Sequence, residues 1–289
     1  MSATPGLARL LVRCSFPPRG SVVSCAVSGG ADSLALLALA AHAGCAVTAI
    51  HVDHGLRPES AAEVEVVQAA AARFGAAFQA ERVAVSTGSN LEARARSARY
   101  AALPSDVLTG HTADDQAETV LLNLVRGAGL TGMGGFRPDQ RPLRRLRRSE
   151  TQALCAELGL VPVHDASNDD PRFRRNRVRS ELLPLLDDIA QRDVAAVLAR
   201  QADALREDGR LLDELALAID PTNVIELTSA PVALARRAVR RWLRSGPERH
   251  PPDAATVERV LAVARGDAVA CEVGQGRSVR RGSGRLTLA

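Results

Sequence analysis

Apolar positions in the first half of the chain fall into short blocks with two alternating spacings. Four brief runs of mainly apolar residues, typical of buried strands, span residues 21–27, 46–52, 77–85 and 106–110. Apolar residues recur at helical spacing over residues 31–43, 59–74, 91–103 and 113–126. Strands that alternate with helices of this length predict an α/β fold, with a parallel sheet and flanking helices.

The pattern changes after residue 135, and the second half of the chain is predicted to be mainly helical. Residues 136–148 contain Pro and Arg without an apolar period, which indicates a linker. Helical segments follow at 149–158, 176–217, 231–244 and 253–264, with a break at Pro184. Val and Leu alternate between Gly turns over 268–288 and predict a small β element. We therefore expect an α/β domain at 1–135 and a smaller, mainly helical domain at 149–289.

Composition places the chain among globular proteins whose long cationic side chains are all arginine. Of 289 residues, 46% are hydrophobic and 24% are charged, the net charge is +4, and the 37 basic residues include no lysine. Arginines concentrate in residues 137–148 and 172–179. Because guanidinium groups match phosphate and carboxylate, these clusters favour a polyanionic partner over a membrane surface. A solvated arginine face is the alternative for either cluster alone.

Cysteine usage and hydropathy bear on the compartment. The five cysteines form no CxxC pair and no His-paired zinc spacing; they are Cys14, Cys25, Cys45, Cys155 and Cys271. No apolar stretch approaches the ~20 residues that a membrane helix needs, and we find no signal-peptide pattern. The sequence therefore predicts a cytoplasmic protein in a reducing compartment, without membrane contact.

The segment Ser28-Gly-Gly-Ala-Asp-Ser33 follows the first predicted strand and opens the next helix. A helix N-terminus offers free N–H groups and the positive end of the helix dipole, which together favour an anion. Gly29 and Gly30 allow the backbone to approach phosphate oxygens closely. The candidate nucleotide-binding residues are Ser28, Gly29, Gly30, Ala31, Asp32 and Ser33. A tight turn that binds nothing is the alternative.

Asp32 has a separate predicted part in this turn, because a carboxylate cannot bind phosphate itself. Near phosphates, a carboxylate is best placed to hold Mg²⁺, which bridges to the phosphate oxygens. Asp32 is therefore the candidate metal ligand, and a favourable charge in the first helical turn is the alternative. The spacing is neither that of a Walker loop nor that of GxGxxG.

A second polar segment, residues 51–57, ends the second predicted strand, at the edge where open parallel sheets bind ligands. Its His51, Asp53 and His54 could chelate a metal. We favour a polar rim of the ligand pocket without a dedicated metal, and His54 is the candidate nucleotide contact in this rim.

A third segment, residues 110–119, joins the fourth predicted strand to a helix. Asp115 and Glu118 are three residues apart, so they share a helical face and focus negative potential on one spot. A cationic substrate group or Mg²⁺ would fit there. Thr112 and Asp115 also fit a capping box, which explains one acid but not both.

Two arginine-bearing segments could reach phosphate. Arg96, Arg99 and Tyr100 share a face of the predicted helix at 91–103, and Arg175 and Arg177 open the following domain. Ordinary exposed faces are the alternative. Aromatic residues make up only 2% of the chain, so RNA recognition would depend on arginine planes and on shape.

Taken together, these segments resemble the N-type ATP pyrophosphatases of the PP-loop superfamily, whose signature is SGGxDS. More narrowly, the chain is similar to the tRNA(Ile)-lysidine synthetase family. The motifs that carry the resemblance follow the family's order between residues 20 and 190: AVSGGADS (26–33), HVDHGLR (51–57), NLEARARSARY (90–100), GHTADDQAET (110–119), RGAGLTGMGGF (126–136), RPL (141–143) and SNDDPRFRRNRVRSELLPLL (167–186).

The resemblance implies an adenine nucleotide alpha hydrolase-like catalytic domain at 1–135 and a tRNA-binding domain at 149–289. The family uses ATP to adenylate the C2 oxygen of the cytidine at the first anticodon position of tRNA(Ile) with a CAU anticodon. The ε-amine of free L-lysine then displaces AMP, which gives lysidine. The implied cofactors are ATP and Mg²⁺, and a homodimer is left open.

The same resemblance implies roles for individual residues. Residues 28–33 would hold pyrophosphate, and Asp32 would hold Mg²⁺. Asp115 and Glu118 would bind or orient the lysine ammonium. Arg96 or Arg99, and Arg175 or Arg177, would neutralise developing charge or contact RNA phosphate. We choose Arg96 and Arg177 as the candidates.

The chain departs from the family's pattern at three places, and three alternatives are kept. Asp165-Ala-Ser-Asn168 replaces the usual Asp-Pro-Ser-Asn. Thr112 stands where many relatives have a second His, and the chain ends at residue 289 without the extra domain of longer members, so residues 187–289 are expected to hold the tRNA.

A tRNA 2-thiolation enzyme of the same superfamily is the first alternative, against which the scattered cysteines argue. A small-molecule amidotransferase or synthetase is the second, and the Arg-rich second half argues against it. A non-catalytic RNA-binding protein is the third, and it would need none of the carboxylates.

Overall fold

A computed structural model describes residues 4–53, 60–83, 98, 101–136, 138–163, 169–244 and 252–289. The chain divides into two compact units, Met1–Asp203 and Ala204–Ala289. All five cysteines are free thiols. No helix among the described residues is both long and apolar enough to cross a membrane.

Four parallel strands form the sheet of the first unit, in the order β3-β2-β1-β4. They are β1 (Val22–Ala26), β2 (Ala46–Asp53), β3 (Ala77–Arg82) and β4 (Leu108–Thr109). On β1, Cys25 pairs with Ala49 of β2 on one side and with Leu108 of β4 on the other. Because the strands are parallel, their carboxyl ends share one edge, from which residues 28–33 and 110–119 emerge. The predicted α/β fold with a parallel sheet is confirmed.

Helices flank this sheet and continue beyond it. They are α1 (Pro5–Leu11), α2 (Ala31–His42), α3 (Ser60–Arg73), α4 (Ala113–Val125), α5 (Leu130–Met133), α6 (Arg148–Glu157), α7 (Arg174–Arg177), α8 (Leu183–Ala190) and α9 (Val194–Ala216), with a π-helical turn at Val178–Leu182 between α7 and α8. The helices predicted at 31–43, 59–74, 113–126 and 149–158 are confirmed to within two residues at each end. Most of the helix predicted at 91–103 lies outside the described residues, and the short α5 was not predicted.

The core of the first unit is built around α2. Leu34, Leu36, Leu37 and Leu39 of this helix have no exposed surface. They are covered on several sides because α2 packs against β1, β2, α3 and α6. A helix that is apolar all round is stable only when it is enclosed in this way. The enclosure fixes the N-terminal turn of α2, which carries Asp32.

The segment predicted to be a linker, 136–148, is part of the first unit. Leu143 and Leu146 are fully buried and belong to the same apolar cluster as the α2 leucines. The Thr109 N–H donates to the Gln140 carbonyl (3.0 Å) and the Ala113 N–H to the Leu146 carbonyl (2.8 Å). The predicted boundary is therefore corrected: the compact units divide between residues 203 and 204. Two leucines three residues apart among arginines give too weak an apolar period to reveal a buried segment.

Among its described residues, the second unit contains the C-terminal part of α9, three further helices and a small antiparallel sheet. The further helices and the strands are α10 (Val224–Ser229), α11 (Val232–Leu243), α12 (Ala254–Arg265), β5 (Ala270–Gly274), β6 (Arg277–Gly282) and β7 (Arg285–Leu288), with sheet order β5-β6-β7. Its core includes the fully buried Val239, Val260 and Val279. The helices predicted at 231–244 and 253–264 and the predicted β element are confirmed. The short α10, which the Asn223 side chain caps, was not predicted.

Burial of the former linker can be tested by truncating Leu146 to Ala. Removing a fully buried Leu side chain leaves a cavity, which should lower the free energy of unfolding by about 2–5 kcal/mol. Urea denaturation followed by circular dichroism measures it. The matched control is Leu124→Ala on α4, where the side chain is 56% exposed. Equal losses in the two variants would contradict the placement of Leu146 in the core.

Candidate active site

The loop between β1 and α2 has the geometry of an anion site. Gly29 has a φ of +82°, a left-handed conformation that favours glycine, and Gly30 is the extended residue that begins α2. Within the described part of the chain, the N–H groups of Gly30, Ala31 and Asp32 donate no hydrogen bond. These N–H groups and the helix dipole favour a bound anion.

The two serines of this loop stabilise its shape. The Ser33 hydroxyl donates to the Gly30 carbonyl (2.8 Å) and accepts from the Ser28 N–H (3.1 Å). Ser33 is 8% exposed. The sequence treated Ser33 as a hydroxyl donor to phosphate, but its proton is directed at the loop itself. Ser33 therefore fixes the positions of the N–H groups that remain available.

Backbone contact joins this loop to the third polar segment. A Cβ added to Gly110, at the end of β4, would lie 2.5 Å from the Asp32 carbonyl oxygen and 3.0 Å from the Ser33 nitrogen. No side chain fits in that space. The turn that carries Asp32 and the turn that leads into α4 therefore touch through their backbones, which brings the predicted anion site close to the predicted cation site.

Three carboxylates from these two turns converge on one guanidinium group. Arg148, at the start of α6, contacts Asp32 Oδ2 through Nε (3.4 Å), Asp115 Oδ1 through Nη2 (3.0 Å) and Glu118 Oε1 through Nη1 (3.3 Å). We call Asp32, Asp115 and Glu118 the acidic cluster. The sequence predicted a metal ligand and a lysine-binding pair, and the structure places both within reach of a single side chain.

Glu118 lies at the buried end of the acidic cluster. Its side chain has no exposed surface and contacts three arginines. Arg175 Nε approaches Oε2 at 2.8 Å, and Arg179 Nε approaches Oε1 at 2.7 Å. An unpaired buried carboxylate is very costly, so these charge-assisted contacts are what permit its burial.

Asp115 has a structural part as well as a place in the cluster. Its Oδ2 accepts the Thr112 N–H (2.9 Å) and the Thr112 hydroxyl (3.1 Å), which completes the predicted capping box. Its Oδ1 faces Arg148. Burial raises the pKa of this carboxyl, but Arg148, His111 and the Thr112 N–H together lower it below its usual range. Asp115 is therefore ionised at neutral pH.

Asp32 has the opposite electrostatic balance. Burial and the neighbouring Asp115 charge raise the pKa of Asp32 to about 6, although Thr151 and Arg148 oppose the rise. The Thr151 hydroxyl hydrogen-bonds to Oδ1. A carboxyl with this pKa changes charge near physiological pH, which distinguishes it from Asp115.

Asp114 and His51 belong to the supports of the site. Asp114 accepts two hydrogen bonds from Arg147, at 3.1 and 2.8 Å, and one from the Arg148 N–H (2.7 Å), so it fixes the start of α6. His51 is 1% exposed, and its Nδ1 donates to the Val27 carbonyl (2.9 Å). This imidazole therefore braces the ends of β1 and β2 and does not line a rim.

The arginine candidates are only partly located. Arg177 does not join the acidic cluster; it is exposed and pairs with Glu181 (2.8 Å). Of the two candidates in this segment, Arg175 reaches Glu118, as does Arg179, while residue 177 projects from another side of the helix. Arg96 and His54 lie outside the described residues.

Sequence reasoning missed Arg148, Arg179 and Thr151 as members of the site. Arg148 lies in the segment read as a linker, and nothing in the run Arg144-Arg-Leu-Arg-Arg148 distinguishes it from its neighbours. Arg179 could have been found by its spacing, because residues 175 and 179 are one helical turn apart and share a face.

The donor set agrees with a magnesium site of the kind that phosphates complete. Among the described residues, no group of three or more His, Cys, Asp or Glu side chains has the spacing of a protein-only metal site. Mg²⁺ in nucleotide sites uses one or two carboxylates together with phosphate oxygens. Asp32, whose own N–H is the last of the free N–H groups of the loop, supplies such a carboxylate.

Two protein families match the chain. The PP-loop domain matches residues 7–186, and the TilS substrate binding domain matches residues 223–287. The first match covers more than half of the chain and includes the loop, the acidic cluster and the arginines that contact it. The second lies within the second compact unit.

Similar proteins include several tRNA(Ile)-lysidine synthases. That of Nocardia farcinica is 47% identical over 256 residues, which cover 82% of this chain and 80% of that protein. That of Mycolicibacterium paratuberculosis is 47% identical over 237 residues, which cover 76% of this chain and 74% of that protein.

Among solved structures, the U34-tRNA thiolase of Methanococcus maripaludis aligns with a TM-score of 0.56 and 17% identity. The alignment covers 70% of this chain and 78% of that chain. At that identity the likeness shows a shared fold and carries no information on the reaction.

The raised pKa of Asp32 predicts a pH-dependent stability difference. The folded protein retains a proton on Asp32 between the ordinary carboxyl pKa of 3.8 and about 6, so this group lowers stability as pH rises through that window. Asp32→Asn removes the ionisation. The free energy of unfolding of the variant should exceed that of the wild type by about 3 kcal/mol at pH 7, and the difference should shrink to nothing below pH 4.

Urea denaturation of both proteins from pH 4 to 8 measures this difference. The control is Asp106→Asn, at an exposed position, which should show no such trend. An Asp32→Asn variant that loses stability at pH 7 would show that the ion pair with Arg148 outweighs burial.

Proposed function

This chain belongs to the tRNA(Ile)-lysidine synthase family, and we propose how its 28–33 loop and its acidic cluster divide the reaction. The family's activity is the ATP-dependent formation of lysidine on tRNA(Ile), so the chain is a ligase that forms a C–N bond. The observation that carries the proposal is the convergence of Asp32, Asp115 and Glu118 beside the anion-binding turn.

The 28–33 loop is proposed to bind the phosphates of ATP. The C2 oxygen of the cytidine attacks the α-phosphorus, and the bond to pyrophosphate breaks. The N–H groups of Gly30, Ala31 and Asp32 stabilise the leaving pyrophosphate, which supports the assignment of nucleotide contacts to residues 28–33. Adenylation makes the C2 oxygen a good leaving group, so no protein nucleophile is needed.

Free L-lysine is the proposed amine donor, bound through its positive charge at Asp115 and Glu118. The ε-nitrogen forms a bond to C2 of the adenylated cytidine, and the bond from C2 to the adenylate oxygen breaks, which releases AMP. Two features support this site. The Arg148 and His111 charges hold the pKa of Asp115 below its usual range, and Glu118 lies on the same face of α4, one turn further into the protein. Both carboxylates would orient the cationic substrate.

Mg²⁺ is the proposed metal, with Asp32 as its protein ligand. When bound, the ion would neutralise charge on the phosphates and favour departure of pyrophosphate. Asp32 fits this assignment because its carboxylate lies on the first turn of α2, directly after the loop. Contacts with Arg148 and Thr151 fix the orientation of the Asp32 carboxylate towards the acidic cluster.

Contact with tRNA is proposed for the second unit, which the substrate-binding family matches. Exposed arginines there could pair with phosphates; among them are Arg236, Arg244, Arg280, Arg281 and Arg285. Recognition of the CAU anticodon, an RNA contact of Arg177, a cytoplasmic location and a homodimer stay predictions from the sequence.

The 2-thiolation alternative is disfavoured by the family match and by the state of the thiols. Burial raises the pKa of Cys25 to about 12 and that of Cys155 to about 11. Thiols with such pKa values are protonated at neutral pH and are poor nucleophiles or metal ligands. Neither buried cysteine is suited to carry sulfur.

Incorporation of labelled lysine into RNA tests the proposal. The full chain is incubated with ATP, Mg²⁺, labelled L-lysine and a tRNA(Ile) transcript, and label in the RNA is measured. Asp115→Asn should reduce incorporation by at least about 100-fold, because it removes the charge that orients the amine. The amide oxygen of Asn can still accept from Thr112, so the cap and the fold should persist.

The matched control is Glu181→Gln, which removes an exposed carboxylate paired with Arg177. It should retain wild-type incorporation. Wild-type incorporation by Asp115→Asn would overturn the lysine assignment, and failure of the wild type to label a competent tRNA(Ile) would overturn the proposed reaction.

A further inference from the structure

The acidic cluster is already neutralised by the protein's own arginines. Its three carboxylates face three guanidinium groups, those of Arg148, Arg175 and Arg179. A cationic ligand that joins this cluster would therefore meet no net negative charge, unless one guanidinium moves away. The substrate proposed above is itself a cation, so the question is which arginine moves away from the cluster when it binds.

The three arginines differ in how they hold the carboxylates. Arg175 and Arg179 each make a short contact to Glu118, at 2.8 and 2.7 Å, and Arg175 also donates to the Thr119 hydroxyl (2.8 Å). Arg148 spreads its guanidinium over all three carboxylates, and none of its contacts to them is shorter than 3.0 Å. Arg148 is therefore the most evenly shared and the least tightly held of the three.

Arg148 is also the arginine that links the two parts of the cluster. It contacts Asp32 on α2 as well as Asp115 and Glu118 on α4. Its side chain is 20% exposed, compared with 31% for Arg175 and 30% for Arg179, so exposure does not set it apart. Its contacts do, because they place the guanidinium between the proposed metal ligand and the proposed lysine ligands.

We propose that Arg148 is a specificity-determining residue that occupies the cationic position of the acidic cluster and leaves it when the substrate ammonium binds. The inference rests on the proposed function, because it needs lysine to bind at Asp115 and Glu118. While Arg148 is in place, its positive charge offsets the repulsion between the carboxylates of α2 and α4 and holds them close together. Once the ammonium replaces it, the guanidinium is free to face an anion.

Moving the Arg148 guanidinium away from the carboxylates costs free energy, and only a ligand with an ε-ammonium can offset that cost. A ligand without an ε-ammonium gains nothing at the cluster and cannot replace the guanidinium, so it is rejected. A ligand that carries the ammonium binds with an affinity reduced by the fraction of molecules in which Arg148 has moved away. Removing the guanidinium should therefore strengthen lysine binding, which is the reverse of what loss of a supporting residue would do.

Calorimetric titration of the full chain with L-lysine, without RNA, tests the inference. Arg148→Gln should bind L-lysine more tightly than the wild type, by about threefold or more, because no guanidinium has to leave. L-norleucine has the same carbon chain and α-amine as L-lysine but lacks the ε-amine. It should bind no better to the variant than to the wild type. Unchanged or weaker lysine binding by a folded Arg148→Gln protein would overturn the inference.

A second variant covers the case in which Arg148→Gln does not fold. Arg148→Lys keeps one positive charge, but a compact ammonium cannot bridge three carboxylates as a planar guanidinium does. It should bind L-lysine more tightly than the wild type and less tightly than Arg148→Gln. Lysine affinity in Arg148→Lys equal to or below that of the wild type would also overturn the inference.

Two controls separate this inference from the proposed function. Arg73→Gln removes an exposed guanidinium that lies over the Phe74 ring and does not contact the cluster, so it should leave lysine affinity unchanged. Asp115→Asn should abolish lysine binding. Suppose that the wild type binds lysine and Asp115→Asn does not, but that Arg148→Gln shows no gain in lysine affinity. Then only the inference that Arg148 is displaced by the ammonium is wrong. If the wild type binds no lysine, both proposals fail.

Discussion

Burial of the Glu118 carboxylate is the constraint on which the site depends. A fully enclosed negative charge is stable only if positive groups reach it, and here they come from two separate stretches of chain. One is the start of α6, and the other is the segment of α7 and the π-helical turn. The requirement of one carboxylate therefore draws three stretches of chain together at the carboxyl edge of the sheet.

The two charged turns at this edge are given different properties by their surroundings. The first turn of α2 combines free N–H groups with a carboxyl that resists ionisation, and the first turn of α4 holds a carboxyl that ionises readily. Arg148 contacts both acids, yet their pKa values move in opposite directions. Burial and the Asp115 charge raise the pKa of Asp32, whereas the Arg148 and His111 charges and the Thr112 N–H outweigh burial at Asp115. Proximity alone therefore does not fix the charge state of a carboxylate.

Much of the fold and part of the site could be predicted from the sequence. Alternation of short apolar runs with helical segments was enough to give the parallel sheet, because both signals are local. Asp32, Asp115 and Glu118 were found because each lies in a motif directly after a strand. Arg148 was not found, since its partners are 30 residues or more away in sequence and its own neighbours are also arginines. Leu146 was missed for a related reason. In a turn-rich segment, the buried residues do not recur at a regular spacing, so the sequence shows no apolar period.

The absence of a side chain at Gly110 bears on how the two half-reactions stay aligned. The turns that hold the proposed phosphate and amine sites touch through main-chain atoms, with less room between them than a methyl group needs. A main-chain contact of this kind does not depend on the rotamer of any side chain. The spacing between the proposed phosphate and amine sites is thus set by the backbone itself.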